Sequence, residues 1–319
     1  MILDMTPDFL GTEVGGYATF QNAGLERLDQ LNLGSEELKL FALGRHCLEA
    51  VCRAYRPSSL LLPIFTCSSL KQVAKDLGVP TKYYNISESF VPLLESVHEE
   101  ELLVVNNYFG LSASSGKLEE WLKKTAPSRC LIDDTHSLGC ANQFPGQLSF
   151  ISPRKFIAVT DGGILFDPKR IITTEIMPKK QDVSWSRVGW LFRAIDEMGR
   201  NESYKAYRKY REDLQILEYS SSSETTRYLL SVYDIKKVIR DRNKNFQKLR
   251  TEMPLYPAFN DWVSAPGFSP IGYPLFVKNA QRAQDILSES KVYAARYWPD
   301  LDLNDTTNGF EKELLEHLL

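Results

Sequence analysis

The 319-residue chain has no long basic run, no long hydrophobic run and no C-x-x-C cysteine pair. Each absence excludes a class of function. Lysine and arginine number 38 against 41 aspartates and glutamates, a net charge of −3, so nothing favours nucleic acid or an anionic membrane as a partner. No stretch reaches the roughly 20 apolar residues that a membrane-spanning helix needs. The first residues lack the basic start and apolar core of a secretory leader. The five cysteines, Cys47, Cys52, Cys67, Cys130 and Cys140, are odd in number, scattered and without metal-type spacing. They suit free thiols in a reducing compartment. Internal repeats and low-complexity tracts are also missing. The expectation is a cytoplasmic, soluble protein with no metal site.

What is present is ordinary for a globular chain: 43% hydrophobic and 25% charged residues, enough to bury a core without staples. Residues 1–35 are polar, with Gly11, Gly15, Gly16 and Gly34, and read as an irregular lead-in. From 36 to 183 short apolar runs alternate with helical periodicity. Leu38–Ala42, Ser59–Leu62, Thr81–Tyr84, Leu102–Val105, Arg129–Ile132, Ser149–Ile151 and Gly163–Phe166 read as strands, and 47–55, 70–77 and 117–124 as helices. Thr66 to Ser69 can cap the second helix and Gly78 can close it. Such alternation predicts an α/β fold, a mostly parallel sheet covered on both faces, with ligands at the strand C-terminal ends. Residues 184–250 read as a helical connection, with charges of both signs interspersed. Residues 251–319 read as a smaller α+β domain, with strands at 273–277 and near Val292 and a helix at 280–289 between them.

The stretch 131–163 carries the most chemistry. An apolar strand runs into Asp133 and Asp134, His136 follows the first acid by three residues, and Gly139 ends the turn. Lys155 then precedes an apolar run and Gly162-Gly163. Each piece alone has a bland reading. An Asp after a strand is usually a turn or cap residue, a lone His structural, a lone Lys a solvated charge. Taken in order, an acid at a strand end, a neighbouring His and a later Lys form a set able to hold pyridoxal phosphate. Upstream, Gly44-Arg45-His46 opens a helix whose free N–H groups make an anion site.

Five segments resemble the DegT/DnrJ/EryC1/StrS sugar aminotransferases, enzymes of the fold-type I pyridoxal-phosphate class. They are Leu43–Leu48, Leu62–Cys67, Ile132–Gly139, Arg154-Lys155 through Gly163, and Tyr297-Trp298-Pro299. The resemblance implies a three-layer sheet with a smaller C-terminal domain. It also implies that Gly44, Arg45 and His46 hold the cofactor phosphate through backbone N–H groups, with a further contact from Ser149 or Ser152. Asp133 would pair with the ring nitrogen and His136 would lie beside the ring. Lys155 would carry the cofactor covalently and move the proton. Cys67 stands where relatives usually place an aromatic ring. The common spacing would set the lysine at Arg154, which cannot bond the aldehyde, whereas the Arg-Lys pattern before Gly-Gly fits Lys155. Tyr108, Arg296 and Trp298 would meet substrate. The implied function is amino transfer from glutamate to a keto-sugar nucleotide in a homodimer. Decarboxylation or acyl condensation on the same scaffold, or a catalytically silent subunit, are the alternatives.

Overall fold

The computed structural model describes residues 37–139, 144, 146–184, 187–195, 200–253, 256–263, 267, 269–299, 301 and 309–319. The expected lead-in over 1–35 and Cys140 lie outside the described residues. Apolar runs too short for helices become strands: β1 (Leu38–Phe41), β2 (Leu60–Pro63), β3 (Thr81–Ile86), β4 (Pro92–Leu93), β5 (Leu102–Asn106), β6 (Cys130–Asp133), β7 (Ser137–Leu138), β8 (Leu148–Ile151), β9 (Gly163–Phe166) and β10 (Ser269–Pro270). Eight of them form one sheet in the order β1-β9-β8-β6-β5-β2-β3-β4. β3, β2, β5, β6 and β8 are parallel, while β9 runs antiparallel to β8 and β1, and β4 antiparallel to β3.

The central strands β2, β5, β6 and β8 are buried on both faces, which is why they read as largely apolar runs rather than alternating ones. Leu60, Leu62, Leu102, Val104, Leu131, Leu148 and Phe150 point to one side, against α1 (Gly44–Tyr55) and α2 (Ser68–Leu77). Their neighbours Leu61, Leu103, Val105, Cys130 and Ile132 point to the other, under α3 (Lys117–Thr125). Beside them, Ile151 and Ile164 pack against α4 (Gly189–Ile195), α5 (Arg200–Gln215), α6 (Glu224–Val232) and α7 (Ile235–Glu252). This is the three-layer, mostly parallel α/β arrangement that the alternation predicts. Among the described residues no helix is long and apolar enough to cross a membrane.

The C-terminal part holds α8 (Ala280–Glu289) and α9 (Gly309–His317). Phe259, Trp262, Leu314 and Leu318 share an apolar cluster with Tyr84 and Phe90 of the large sheet's side. The strand expected at 273–277 shrinks to a single bridge, Phe276 to Leu318. Leu275 and Val277 donate their N–H groups to the carbonyls of Leu319 and His317 at 2.9 and 2.8 Å. Pro274 has no N–H to extend that ladder. Val292 is no strand either, because its N–H caps α8 on Leu287 at 2.8 Å. α2 begins at Ser68 with Cys67 at the cap and no side-chain cap bond, while Gly78 closes it at φ 66° as expected.

Candidate active site

Parallel strands place their C-terminal ends along one edge, and the residues that follow them meet there. Cys67 follows β2, Asn106 ends β5, Asp133 ends β6, and Lys155 lies in the single 3-10 turn Pro153–Lys155 after β8. Asn106 and Asp133 are register partners. With Asn107, Thr135, His136 and Trp298 they line a narrow cleft.

The Lys155 amine donates to Thr135 Oγ1 at 2.9 Å. Burial pushes its pKa below the ordinary lysine value, and the Asp133 carboxylate opposes that shift. Asp133 is pushed up by burial and held back by Lys155, while its Oδ1 accepts the Thr135 N–H at 2.9 Å. Burial, then the nearby Lys155, holds His136 well below the usual imidazole value, so its ring is neutral. Its Nδ1 accepts the Phe109 N–H at 3.3 Å, which leaves the ring proton on Nε2 as a donor. The Trp298 ring stacks on it at 5.7 Å and 13° and narrows the cleft mouth.

Asp134 faces the other way. Fully buried, it accepts from Asn107 Nδ2 at 2.7 Å, and Asn107 Oδ1 in turn accepts from Ser112 Oγ and the Ala113 N–H. Burial holds its pKa well above the ordinary value. The second acid therefore shapes the turn after β5, while the first lines the cleft.

The start of α1 lies beside Thr135. It has no side-chain cap and no acid in its first turn. A Cβ on Gly44 would meet Thr135 Cγ2 at 3.4 Å, so this helix start lies against the residue that holds Lys155. A Cβ on Gly163 would fall 2.4 Å from the Leu43 carbonyl oxygen, so only glycine lets β9 pass the helix start. The side chains of Arg45 and His46 point away: Arg45 Nη2 donates to the carbonyls of Leu214, Gln215 and Leu217, and His46 Nε2 meets Leu217 O at 3.3 Å. The His46 backbone N–H already donates to the Leu43 carbonyl at 3.0 Å, so, against the expectation for His46, the amides of Gly44 and Arg45 are what the helix start can offer. Ser152 donates to the Gly162 carbonyl at 3.4 Å, tying the lysine turn to the Gly-Gly turn. Ser149 is buried on β8 beside Ile132.

Trp298 reaches the cleft. Tyr108 and Arg296 do not line it: the Tyr108 hydroxyl, fully buried, donates to Phe65 O at 2.7 Å, and Arg296 donates to Gln281 Oε1 and Leu315 O, both at 2.6 Å. Sequence reasoning missed Asn106, Asn107 and Thr135. The first two carry a signal, a pair of amides ending a β-branched strand; Thr135 shows none apart from its neighbours.

The residues present fit a phosphorylated pyridoxal. The cleft supplies an amine, a carboxylate and a neutral imidazole donor, and an uncapped helix start stands beside them. Arg154 Nε and His46 Nδ1, both buried, have no hydrogen-bond partner.

No protein-family model matches the chain, and no curated protein matches it by sequence. Solved structures do match by shape. The PMP form of a sugar aminotransferase, Spr1654 from Streptococcus pneumoniae, described there as putative, aligns at TM-score 0.56 and 15% identity over 95% of this chain and 87% of that one. The sugar aminotransferase CalS13 from Micromonospora echinospora aligns at TM-score 0.55 and 12% identity, covering 92% and 87%. A DegT DnrJ EryC1 StrS aminotransferase from Brucella abortus aligns at 0.52 and 12%, covering 91% and 81%. The chain has the fold of the DegT/DnrJ/EryC1/StrS sugar aminotransferases.

Proposed function

We propose that the protein is a pyridoxal-phosphate-dependent aminotransferase that aminates a keto-sugar nucleotide, with glutamate as the amino donor. The observation that carries the reading is a lysine amine held in a buried cleft beside the Asp133 carboxylate, at the C-terminal edge of a sheet with the fold of sugar aminotransferases. When bound, the cofactor supplies an electron sink for the bonds around the amino-bearing carbon. Gly44 and Arg45 hold its phosphate with backbone N–H groups, with Ser149 or Ser152 beside them. Asp133 keeps the ring nitrogen protonated, because an opposite charge at short range favours the charged form. His136 donates from Nε2 toward the ring's phenolic oxygen. Lys155, its pKa lowered by burial, gives and takes the proton at Nζ. Trp298 closes the cleft and excludes water. Substrate contacts from Tyr108 or Arg296 would require both side chains to leave the partners described above.

The reading includes a homodimer, the commonest closed oligomer, and a division into a large domain over 36–183, a helical connection over 184–250 and a smaller domain over 251–319. Cys67, a thiol where an aromatic ring is expected, favours a second reading: a subunit that binds the cofactor without turnover. Borohydride reduction of cofactor-loaded protein followed by peptide mapping tests the first step, with label expected on Lys155. Adding glutamate, glutamine or alanine alone then tests turnover. Loss of the cofactor's visible colour with formation of 2-oxoglutarate is expected from glutamate. Label on another lysine sinks the assignment. Colour that persists with every donor leaves either another reaction on the same scaffold or the silent subunit.

A further inference from the structure

A second hollow, of about 550 Å³, lies at the far end of α1 and shares no residue with the cleft. α1 is 12 residues long, so roughly 18 Å of helix separates its start beside Thr135 from its last turn. Arg53 in that last turn, Arg56 just past it and Lys179 line the hollow together with the Tyr219 ring. Small-molecule sites span roughly 300–1,000 Å³, so this one is large enough to hold an organic ligand.

Three cations meet one acid, Glu175, in the lining. Arg53 is held in place. Its Nε and Nη2 donate to Glu49 Oε1 at 3.0 and 2.7 Å, and its guanidinium lies 4.9 Å over the Tyr219 ring. Among the described residues Arg56 and Lys179, both exposed, form no ion pair. Arg56 also departs from backbone preference. Its φ of 46° and ψ of 58° lie in the left-handed region, where glycine is the residue without strain. Its N–H closes α1 on the Cys52 carbonyl at 2.8 Å, which a glycine would do as well. A cation does favour the negative end of a helix, but Arg53 already provides one. Backbone strain at a residue that lines a cavity points to a role for its side chain.

The other part of the lining is apolar. Ile176, Met177 and Pro178 are half-buried there, and the Tyr219 hydroxyl fastens this stretch by donating to the Ile176 carbonyl at 2.7 Å. Unpaired cations beside fixed apolar surface suit a ligand of both characters. A guanidinium fork matches phosphate oxygens, and a phosphate dianion balances Arg56 and Lys179 where a single carboxylate does not. We propose that this hollow is a second ligand site, which takes a phosphate-bearing organic anion of about nucleotide size. Arg56 and Lys179 hold the phosphate, and the surface of residues 176–178 packs the organic part. This second site is independent of what the cleft binds.

The test uses the full chain, with adenosine diphosphate as the probe and adenosine and pyrophosphate as its two halves, in calorimetric titrations at low ionic strength. Wild type should bind adenosine diphosphate more tightly than either half. Arg56→Gly and Lys179→Ala should each weaken it by roughly three- to tenfold, between the worth of an exposed ion pair and that of a charged hydrogen bond. Arg56→Gly carries a second readout. Glycine suits the left-handed backbone, so the melting temperature should hold or rise while binding falls, a split that a merely structural arginine would not give. Wild type that shows no saturable binding overturns the inference. Binding that neither variant changes does so too, because the ligand then lies elsewhere. Adenosine or pyrophosphate bound as tightly as the diphosphate also overturns it, because one part of the lining would then contribute nothing.

Discussion

Replacing Gly110 with alanine tests how the turn after β5 supports the cleft. Gly110 sits at φ 70°, and a Cβ there would lie 2.3 Å from the His136 carbonyl oxygen and 3.1 Å from Ser137 Cα. These are backbone atoms, so no flexible side chain can yield. The same His136 carbonyl accepts the Ile271 N–H at 3.0 Å, and the preceding residue, Phe109, donates to the His136 ring. A left-handed backbone costs a residue with a Cβ about 1–2 kcal/mol. Forcing a methyl into packed surroundings adds about 1–3 kcal/mol. The sum for Gly110→Ala is about 2–5 kcal/mol. Gly78 provides the control: its φ is 66°, and nothing lies within 4 Å of its would-be Cβ. Gly78→Ala should therefore cost only the backbone term, about 1–2 kcal/mol. Chemical denaturation of both variants beside wild type measures the difference, which should be about 1–3 kcal/mol with similar slopes. Equal midpoints for the two variants would refute the argument that the approach of Gly110 to His136 is tight. Cofactor titration supplies a second readout, since only Gly110→Ala should disturb it.

The buried Asp134 gives a pH signature. Its folded pKa lies above the ordinary 3.8, so the folded chain holds that proton more tightly than the unfolded one. The resulting stabilisation is complete below about pH 3.8 and is lost as pH rises through the folded value. Asp134→Asn keeps an acceptor for Asn107 without an ionisable group. Wild type should thus lose ground to the variant between acid and neutral pH in a series of denaturation curves; a constant difference would show that burial does not shift this acid. Among the four described cysteines, Cys67 alone is not buried, whereas burial pushes the Cys52 and Cys130 thiols up to about 12 and Cys47 well up. Alkylation followed by mass spectrometry should find Cys67 modified first among them, and pyridoxal phosphate should slow that reaction. Faster labelling of a buried cysteine, or no protection, would count against the cleft as described.

The order of strands and helices through residue 183 was legible because a sheet buried on both faces demands continuous apolar runs, and β2, β5 and β6 carry them. The spacing of Asp133, His136, Gly139, Lys155 and Gly163 was legible for a related reason. Each stands at a fixed distance from a strand end, so position in the sequence translates into position along one sheet edge. The expected strand at 273–277 failed on Pro274 and on a partner, Leu319, that only the folded chain brings near. Which way a side chain turns was also beyond the sequence. Arg45 beside the helix start places its guanidinium on the end of α5, Arg296 places its own on α8 and on the carbonyl of Leu315 in α9, and Arg154 is left half-buried with an unpaired Nε. Local pattern determines which residues stand at the strand ends, because periodicity is a property of neighbours in the chain. Tertiary packing decides which of their charges are satisfied, because the partners come from other elements, 15 residues away for Arg296 and 172 for Arg45.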